Sequence, residues 1–374
     1  MSLGLLTAVI VIALVFNYIN GFHDTANSIA TVVATKVLSP GQAVLLAAVT
    51  NLVGALAGTA VAKTIASGLI DAGVVQVGAE VLMCALLGAI VWNLITWWWG
   101  LPSSSSHALI GGLCGAAYAA SGNDIGAIIW AGDARHWWRG SGVIPKVIVP
   151  MVASPAAGFV LGIAVMGLLL ALFAFFANRT GFIRRFGRTP FVNAFFGKAQ
   201  LLSAAAMGVS HGMNDAQKTM GIIALALAGA TAAHHFDHLP AWLHFLRVPT
   251  VAGSFSIPVW VKVLCALVMA AGTAGGGWRI IKTLGHKMVK LHPINGFAAE
   301  TSSAAVIIFA SVFGLPVSTT HVVSASIMGV GASKRFNAVR WTVVERMVWS
   351  WILTLPVSAV FAWALVEATR GLGG

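Results

Sequence analysis

Acids, amides and hydroxyls recur in this chain where long apolar runs are interrupted, and they recur twice. Gly21-Phe22-His23-Asp24-Thr25-Ala26-Asn27-Ser28 is echoed loosely by Gly212-Met213-Asn214-Asp215-Ala216-Gln217-Lys218-Thr219. Gly100-Leu101-Pro102-Ser103-Ser104-Ser105-Ser106-His107 is echoed closely by Gly314-Leu315-Pro316-Val317-Ser318-Thr319-Thr320-His321, with five of eight positions identical and two more exchanging Ser for Thr. Asn20, His23, Asp24, Asn27 and Thr31 fall on one helical face, and His211, Asn214, Asp215 and Lys218 do the same in the second copy. Carboxylate and amide oxygens are hard ligands for cations. A carboxylate inside an apolar segment is expensive and commonly marks an ion or proton path. The competing reading is a structural ion pair of Lys218 with Asp215 or Asp24.

The hydroxyl runs carry the complementary chemistry. Ser103, Ser104, Ser105 and Ser106 follow Pro102, and Ser318, Thr319 and Thr320 follow Pro316. Both runs therefore open short helices. A helix N-terminus offers free N–H groups and the positive end of its dipole to an anion. Hydroxyls add donors without adding charge. Two such ends facing each other would cradle a tetrahedral oxyanion; alternatively, the hydroxyls only cap helices and let neighbours pack closely. His107 and His321, which end the runs, either couple protons or order the loop by hydrogen bonds. Glu300, inside an apolar run sixteen residues before Pro316, is a candidate ion or gating group, whereas Glu80 belongs at an interface.

The elements that position these groups are membrane spans. The chain has 374 residues, of which 58% are hydrophobic and 9% charged, and its mean hydropathy is +0.90. A soluble domain carries about 25% charged residues, and each span takes roughly 20 apolar residues. The sequence therefore reads as an all-α polytopic membrane protein with about ten full spans plus half-spans. The net charge of +12 does not signal nucleic acid, because the basic residues gather in short loops. Arg179, Arg184, Arg185, Arg188 and Lys198 form one group without an acid, expected in the cytoplasm, and Arg279, Lys282, Lys287 and Lys290 form another. Cys84, Cys114 and Cys265 have packing surroundings and no CxxC spacing. The first twenty residues read as a retained first helix, not a leader.

In chain order, a run from Leu3 to Asn20 breaks at Gly21 and resumes over Ala26–Thr35. Spans are expected at 42–66, Val77–Trp99 and Val143–Ala177, with a half-helix over Leu101–Ala119. Residues 121–142 form a polar loop holding Asp124, Asp133, Arg135 and Arg139. Trp97, Trp98 and Trp99 either anchor at the headgroups or pack beside the Ser run. The second half runs from Ala199 through the Asp215 motif to Ala230. It continues with spans at 257–275 and Asn295–Phe313, a half-helix over Val317–Gly331 and a last span at 341–367. This divides the chain into a first repeat (1–177), a basic linker (178–198) and a second repeat (199–374). Residues 231–256, with His234, His235, Asp237, His238 and His244, form an extra loop whose spacing fits no closed metal site. Asp24 precedes Pro102 by 78 residues and Asp215 precedes Pro316 by 101, and the extra loop accounts for most of the excess. An odd number of spans per half would invert one repeat against the other, with the broken helices at the midplane.

Charge selects the coupling. A doubly charged anion beside two carboxylates concentrates negative charge that Lys218 alone cannot offset. Either cations enter with the anion or the Asp groups are protonated, which implies a symporter.

The paired Gly-x-x-Asp-x-Ala-Asn and Asn-Asp-x-x-Lys motifs, with Leu-Pro-Ser and Leu-Pro-x-Ser-Thr-Thr-His, resemble the PiT family of inorganic phosphate transporters. The likeness covers Gly21–Pro40, Trp92–Gly112, Ser210–Leu227 and His292–Val330, and with the plan between them nearly the whole chain. It implies cation-coupled phosphate uptake through an inverted-repeat fold of about twelve membrane segments, in the inner (plasma) membrane, as a homodimer. It implies no cofactor beyond a co-transported proton or sodium ion. The bacterial look of the chain tilts that choice toward the proton. The resemblance also implies that Asn27, Ser103–Ser106, Asn214, Lys218, Thr219 and Ser318–Thr320 surround phosphate, and that Asp24, Asp215, Asn27, Asn214 and Glu300 serve the cation. His23 stands where many members have Asn, and Asn51 where eukaryotic members often carry Glu, and their long soluble loop is absent. A permease for another oxyanion such as sulfate is the nearest alternative. A protonated oxyanion can donate a hydrogen bond to carboxylate and sulfate cannot, so the Asp pair favours phosphate. An intramembrane hydrolase or lipid phosphatase using Ser105, His107 and Asp24 is the alternative of another class. Both halves keep the polar sets, and no Arg stands within the motifs, which argues against it.

Overall fold

Runs of apolar helix formers leave the backbone no means of satisfying its polar groups in lipid except by helix formation. The computed structural model describes residues 3–71, 73–132, 140–180, 183–251 and 254–373. Among them, twelve α-helices follow in two matching sets of six. The first set is α1 (Leu3–Ala34), α2 (Pro40–Leu56), α3 (Ala60–Ser67), α4 (Ala79–Trp99), α5 (Ser105–Ala120) and α6 (Val149–Ala177, preceded by a π-helical turn from Ile144). The second is α7 (Thr189–Ala232), α8 (Val259–Gly275), α9 (Trp278–Lys282, continued as a π-helical turn to Lys287), α10 (Pro293–Val312), α11 (Thr319–Ala332) and α12 (Trp341–Gly373).

Among the described residues, five helices are long and apolar enough to cross a membrane, or up to seven spans if each bent pair is one. The bent pairs occupy matching places: α2 and α3 meet at 69°, and α8 meets the α9 segment at 58°. The sets interlock. α1 packs on α8 and α7 on α2, while α5 packs on α12 and α11 on α6. Each motif-bearing helix is thus held by the other half. The extra loop contains one short antiparallel pair, β1 (Thr250–Val251) with β2 (Ser254–Phe255), and an exposed His234–Asp237 pair at 2.8 Å. Asp133, Arg135 and Arg139 lie outside the described residues.

Four sequence expectations change. α1 does not break at Gly21. A Cβ there would meet Met269 O at 2.5 Å, so the glycine serves close approach to α8 and not a turn. Gly212 does the same for α7, where a Cβ would collide with the Asn51 carbonyl oxygen of α2. The expected span at 42–66 is broken at 57–59, and the N–H of Val61 that opens α3 is taken by Gln217 Oε1 of α7 at 2.9 Å. α7 starts at Thr189, inside the segment read as a linker, because Pro190 at the first turn favours helix. The second basic segment is helical rather than a loop, and it buries Ile280, Ile281 and Leu284 beneath its cations. Of the tryptophans, Trp97 packs edge-on against Phe22 at 5.0 Å, while Trp98 and Trp99 are exposed.

Candidate functional site

The half-helices are built the same way twice. Gly100 and Gly314 close α4 and α10 at φ 65°, and the N–H groups of Leu101 and Leu315 reach back to Thr96 O and Ala310 O at 2.9 and 2.8 Å. Glycine is favoured in that left-handed closure. Pro102 and Pro316 then hold the chain extended before Ser104 and Ser318, whose hydroxyls accept from the N–H of His107 and His321, both at 3.2 Å. The two helix starts lie together: Ser106 Oγ donates to Val317 O at 3.2 Å, and the His107 and His321 rings meet at 4.9 Å.

The motif faces of α1 and α7 close over these starts, with Asp24, Asn27, Asp215 and Lys218 all buried. Asn27 Nδ2 donates to Thr320 Oγ1 at 2.9 Å and to Thr319 Oγ1 at 3.1 Å. Thr319 Oγ1 donates to Asp215 Oδ2 at 2.9 Å, and Thr320 Oγ1 donates to Asp24 Oδ1 at 3.3 Å. Lys218 Nζ donates to Asp215 and to Ser106. One ligand atom from each of Asp24, His211 and Asp215 lies within 4.8 Å of the others. Acids about 190 residues apart in the chain therefore share one site. The structural-pair reading is also met in part, since Lys218 bonds Asp215 and not Asp24.

The arrangement suits a cation and an anion together. Two carboxylates, two threonine hydroxyls and the Asn27 amide form an oxygen-rich set. Asn27 Oδ1 is buried with no hydrogen-bond partner among the described residues, as is the Ser105 hydroxyl at the start of α5. Unpartnered buried polar atoms cost about 1–3 kcal/mol each, and a cation on the first and an oxyanion on the second would satisfy them.

Other expected residues go elsewhere. Ser103 Oγ lies 2.7 Å from Thr96 Oγ1 and 3.4 Å from His23 Nε2. Asn214 turns away from the acids, donating to Ser311 Oγ at 2.9 Å and Leu315 O at 3.2 Å. Thr219 is buried, and its hydroxyl has no partner among the described residues. Glu300 is not in the acid cluster. It accepts from Thr31 Oγ1 at 2.5 Å, from Gln200 Nε2 at 3.0 Å and from Ser203 Oγ, tying α10 to α1 and α7. The rings of His107 and His321 do not order the loop by hydrogen bonds, because all four ring nitrogens lack partners among the described residues; their backbone N–H groups do that work. His321 instead stacks on Trp351 at 4.2 Å. The hydrolase constellation is not assembled, since neither Ser105 Oγ nor a His107 ring nitrogen bonds any group among the described residues.

Sequence reasoning left out of the site two groups that bind the acids. His211 Nε2 lies 2.9 Å from Asp215 Oδ2, while its Nδ1 lies 3.2 Å from Asn51 Oδ1. His23 Nδ1 lies 2.8 Å from Asp24 Oδ1 and its Nε2 3.2 Å from Thr96 Oγ1. The i, i+4 spacing of His211 to Asp215 was the available signal. Nothing local marks Gln200 or Ser203 as partners of Glu300.

A multi-pass membrane protein of helices, whose two helix sets enclose a buried polar site at paired half-helices, is a membrane transporter by architecture. The chain belongs to the phosphate transporter family, whose profile matches residues 20–362. It is 44% identical over 356 residues, 95% of this chain and 94% of the other, to a Bacillus subtilis protein described as a probable low-affinity inorganic phosphate transporter. Proteins of the same description from Mycobacterium bovis and Rhizobium meliloti are 43% and 41% identical, covering 100% and 97% of this chain and 80% and 96% of theirs. A solved structure titled "The sodium-dependent phosphate transporter" shares the fold, with TM-score 0.77 and 22% identity over 98% of this chain and 99% of that one.

Proposed function

We propose that this chain imports inorganic phosphate together with a cation, proton or sodium, held at Asp24 and Asp215. The phosphate is received by the starts of α5 and α11 through Ser105, Ser106, Thr319 and Thr320. The observation that carries this reading is the convergence of one acid from each half on one buried site beside two helix N-termini. With Lys218 paired to Asp215, ionised acids leave one negative charge uncompensated. Each like-charge pair at 4 Å costs about 4 kcal/mol at an effective dielectric of 20. A phosphate dianion entering alone would meet that repulsion, and a cation on Asp24 removes it. The two sets of six helices act as inverted repeats that rock about this site, with boundaries near 177 and 189.

Phosphate uptake into proteoliposomes under separately imposed proton and sodium gradients tests the reading. Accumulation above equilibrium is expected with one of them. Uptake that merely equilibrates under both would show a uniporter. Competition by excess sulfate as strong as by phosphate would move the substrate to oxyanions generally.

A further inference from the structure

Helix α6, the short turn Ile183–Gly187, the start of α7 and α10 border a cavity of about 580 Å³ lined only by Leu and Phe. Its wall is a lattice of rings: Phe173 meets Phe196 at 5.5 Å, Phe186 meets Phe191 at 5.1 Å, and Phe196 meets Phe297 at 5.2 Å. Among its lining residues, Leu172 and Phe195 are 42% and 51% exposed, so the cavity opens outward along the flank of α6 and α7.

Its rim is strongly basic. Arg184, Arg185 and Arg188 are exposed on the connection that forms the cavity's edge, and residues 178–198 contain no acid. None of the three forms an ion pair among the described residues. Arg179 lies over the Phe175 ring at 4.3 Å. An apolar slot opening beside the bilayer, with unneutralised guanidinium groups at its mouth, matches one amphiphile in charge and shape. Arg recognises phosphate by paired donors, and basic clusters next to spans draw anionic headgroups. The volume is within the range of ligand sites.

We propose that this cavity holds an acyl chain of an anionic phospholipid whose headgroup phosphate rests on Arg184, Arg185 and Arg188. The site also touches the transport machinery. Phe196 is one turn before Gln200 on α7, Phe297 is three residues before Glu300 on α10, and Gln200 donates to Glu300 at 3.0 Å. A chain filling the slot braces the two helices that carry this hydrogen bond.

The test is native mass spectrometry of the full chain in detergent, with phosphatidylglycerol or phosphatidylcholine of identical acyl chains. Wild type should retain phosphatidylglycerol about tenfold better. The triple variant Arg184→Gln, Arg185→Gln, Arg188→Gln should lose that preference. Leu169→Trp, which fills the slot and leaves the arginines in place, should lower retention of both lipids. Equal retention of the two lipids by wild type overturns the proposal, and that comparison needs no variant to fold. Unchanged phosphatidylglycerol retention in Leu169→Trp also overturns it, placing the headgroup on the loop with no chain inside. A dimer mass lost in Leu169→Trp, with lipid retention unaltered, would assign the slot to a second copy of the chain instead.

Discussion

Asp24 and Asp215 occupy matching positions in the two halves, yet their charges are met differently. Three residues after Asp215 stands Lys218, which bonds it; three residues after Asp24 stands Asn27, which carries no charge. Four residues before Asp215 is His211, 2.9 Å from it, where the first half has Asn20. Among the described residues, Asp24 receives only His23 and the Thr320 hydroxyl. The duplicated scaffold has thus produced one acid with a built-in counter-ion and one whose charge calls for a cation from outside. In the proposed symport, Asp24 is therefore the acid with more to gain from a bound cation, since Lys218 already meets the charge of Asp215.

The largest effect is expected from removing one charge in each half. Asp24→Asn should abolish gradient-driven accumulation while phosphate counterflow persists, since Asn keeps an oxygen ligand and relieves the repulsion. Asp215→Asn should abolish accumulation too, but it strands a buried Lys218 ammonium and costs about 3–5 kcal/mol of stability. Counterflow of labelled phosphate, accumulation against a gradient and thermal unfolding of both variants check this. Wild-type accumulation in both would clear the carboxylates of coupling, and equal stability loss would erase the asymmetry. If the ion is a proton, residual exchange by Asp24→Asn loses its pH dependence; if sodium, sodium no longer stabilises the variant.

A second variant makes the halves alike. Lys218→Asn restores at position 218 the amide found at 27, leaving both acids without a fixed counter-ion. Phosphate affinity should drop by an order of magnitude or more, for loss of a charged hydrogen bond worth about 1.5–3 kcal/mol, and dependence on the cation should steepen. Equilibrium binding of phosphate across cation concentrations reads both.

Smaller effects separate the hydroxyls. Ser105→Ala and Thr319→Ala should each reduce transport. Ser105, unpartnered, should leave detergent stability unchanged, whereas Thr319, bonded to Asp215 and Asn27, should lose about 1–2 kcal/mol. Full transport by the double variant would remove both from the site. The least perturbing probe tests the relation of the halves in the membrane. Arg185→Cys should resist an impermeant thiol reagent in intact cells, as a basic cytoplasmic loop does. Ready labelling from outside would turn the topology over.

The duplication, the half-helices and the buried faces were legible in the residues because each is local. Pro-Ser runs cap helices with the next three residues, and polar side chains three and four apart share a face whatever surrounds them. Local signals misled at Gly21, read as a break, and at 189–198, read as linker. Whether a glycine bends a helix or admits a neighbour depends on what packs there, here the backbone of α8. By itself the sequence determined a membrane protein of two similar halves, each with one buried acid and one hydroxyl-rich helix start. Tertiary structure alone decided that the two acids share a site, that Asn214 turns away to Ser311 and that Glu300 stands apart with Gln200 and Ser203. The shared site joins α1 to α7 across the two halves, and the bonds of Asn214 to Ser311 and of Glu300 to Gln200 and Ser203 join α7 to α10 within the second. Their geometry is set by packing between helices far apart in the chain, while Lys218 and Asp215, three residues apart on α7, were neighbours by spacing alone.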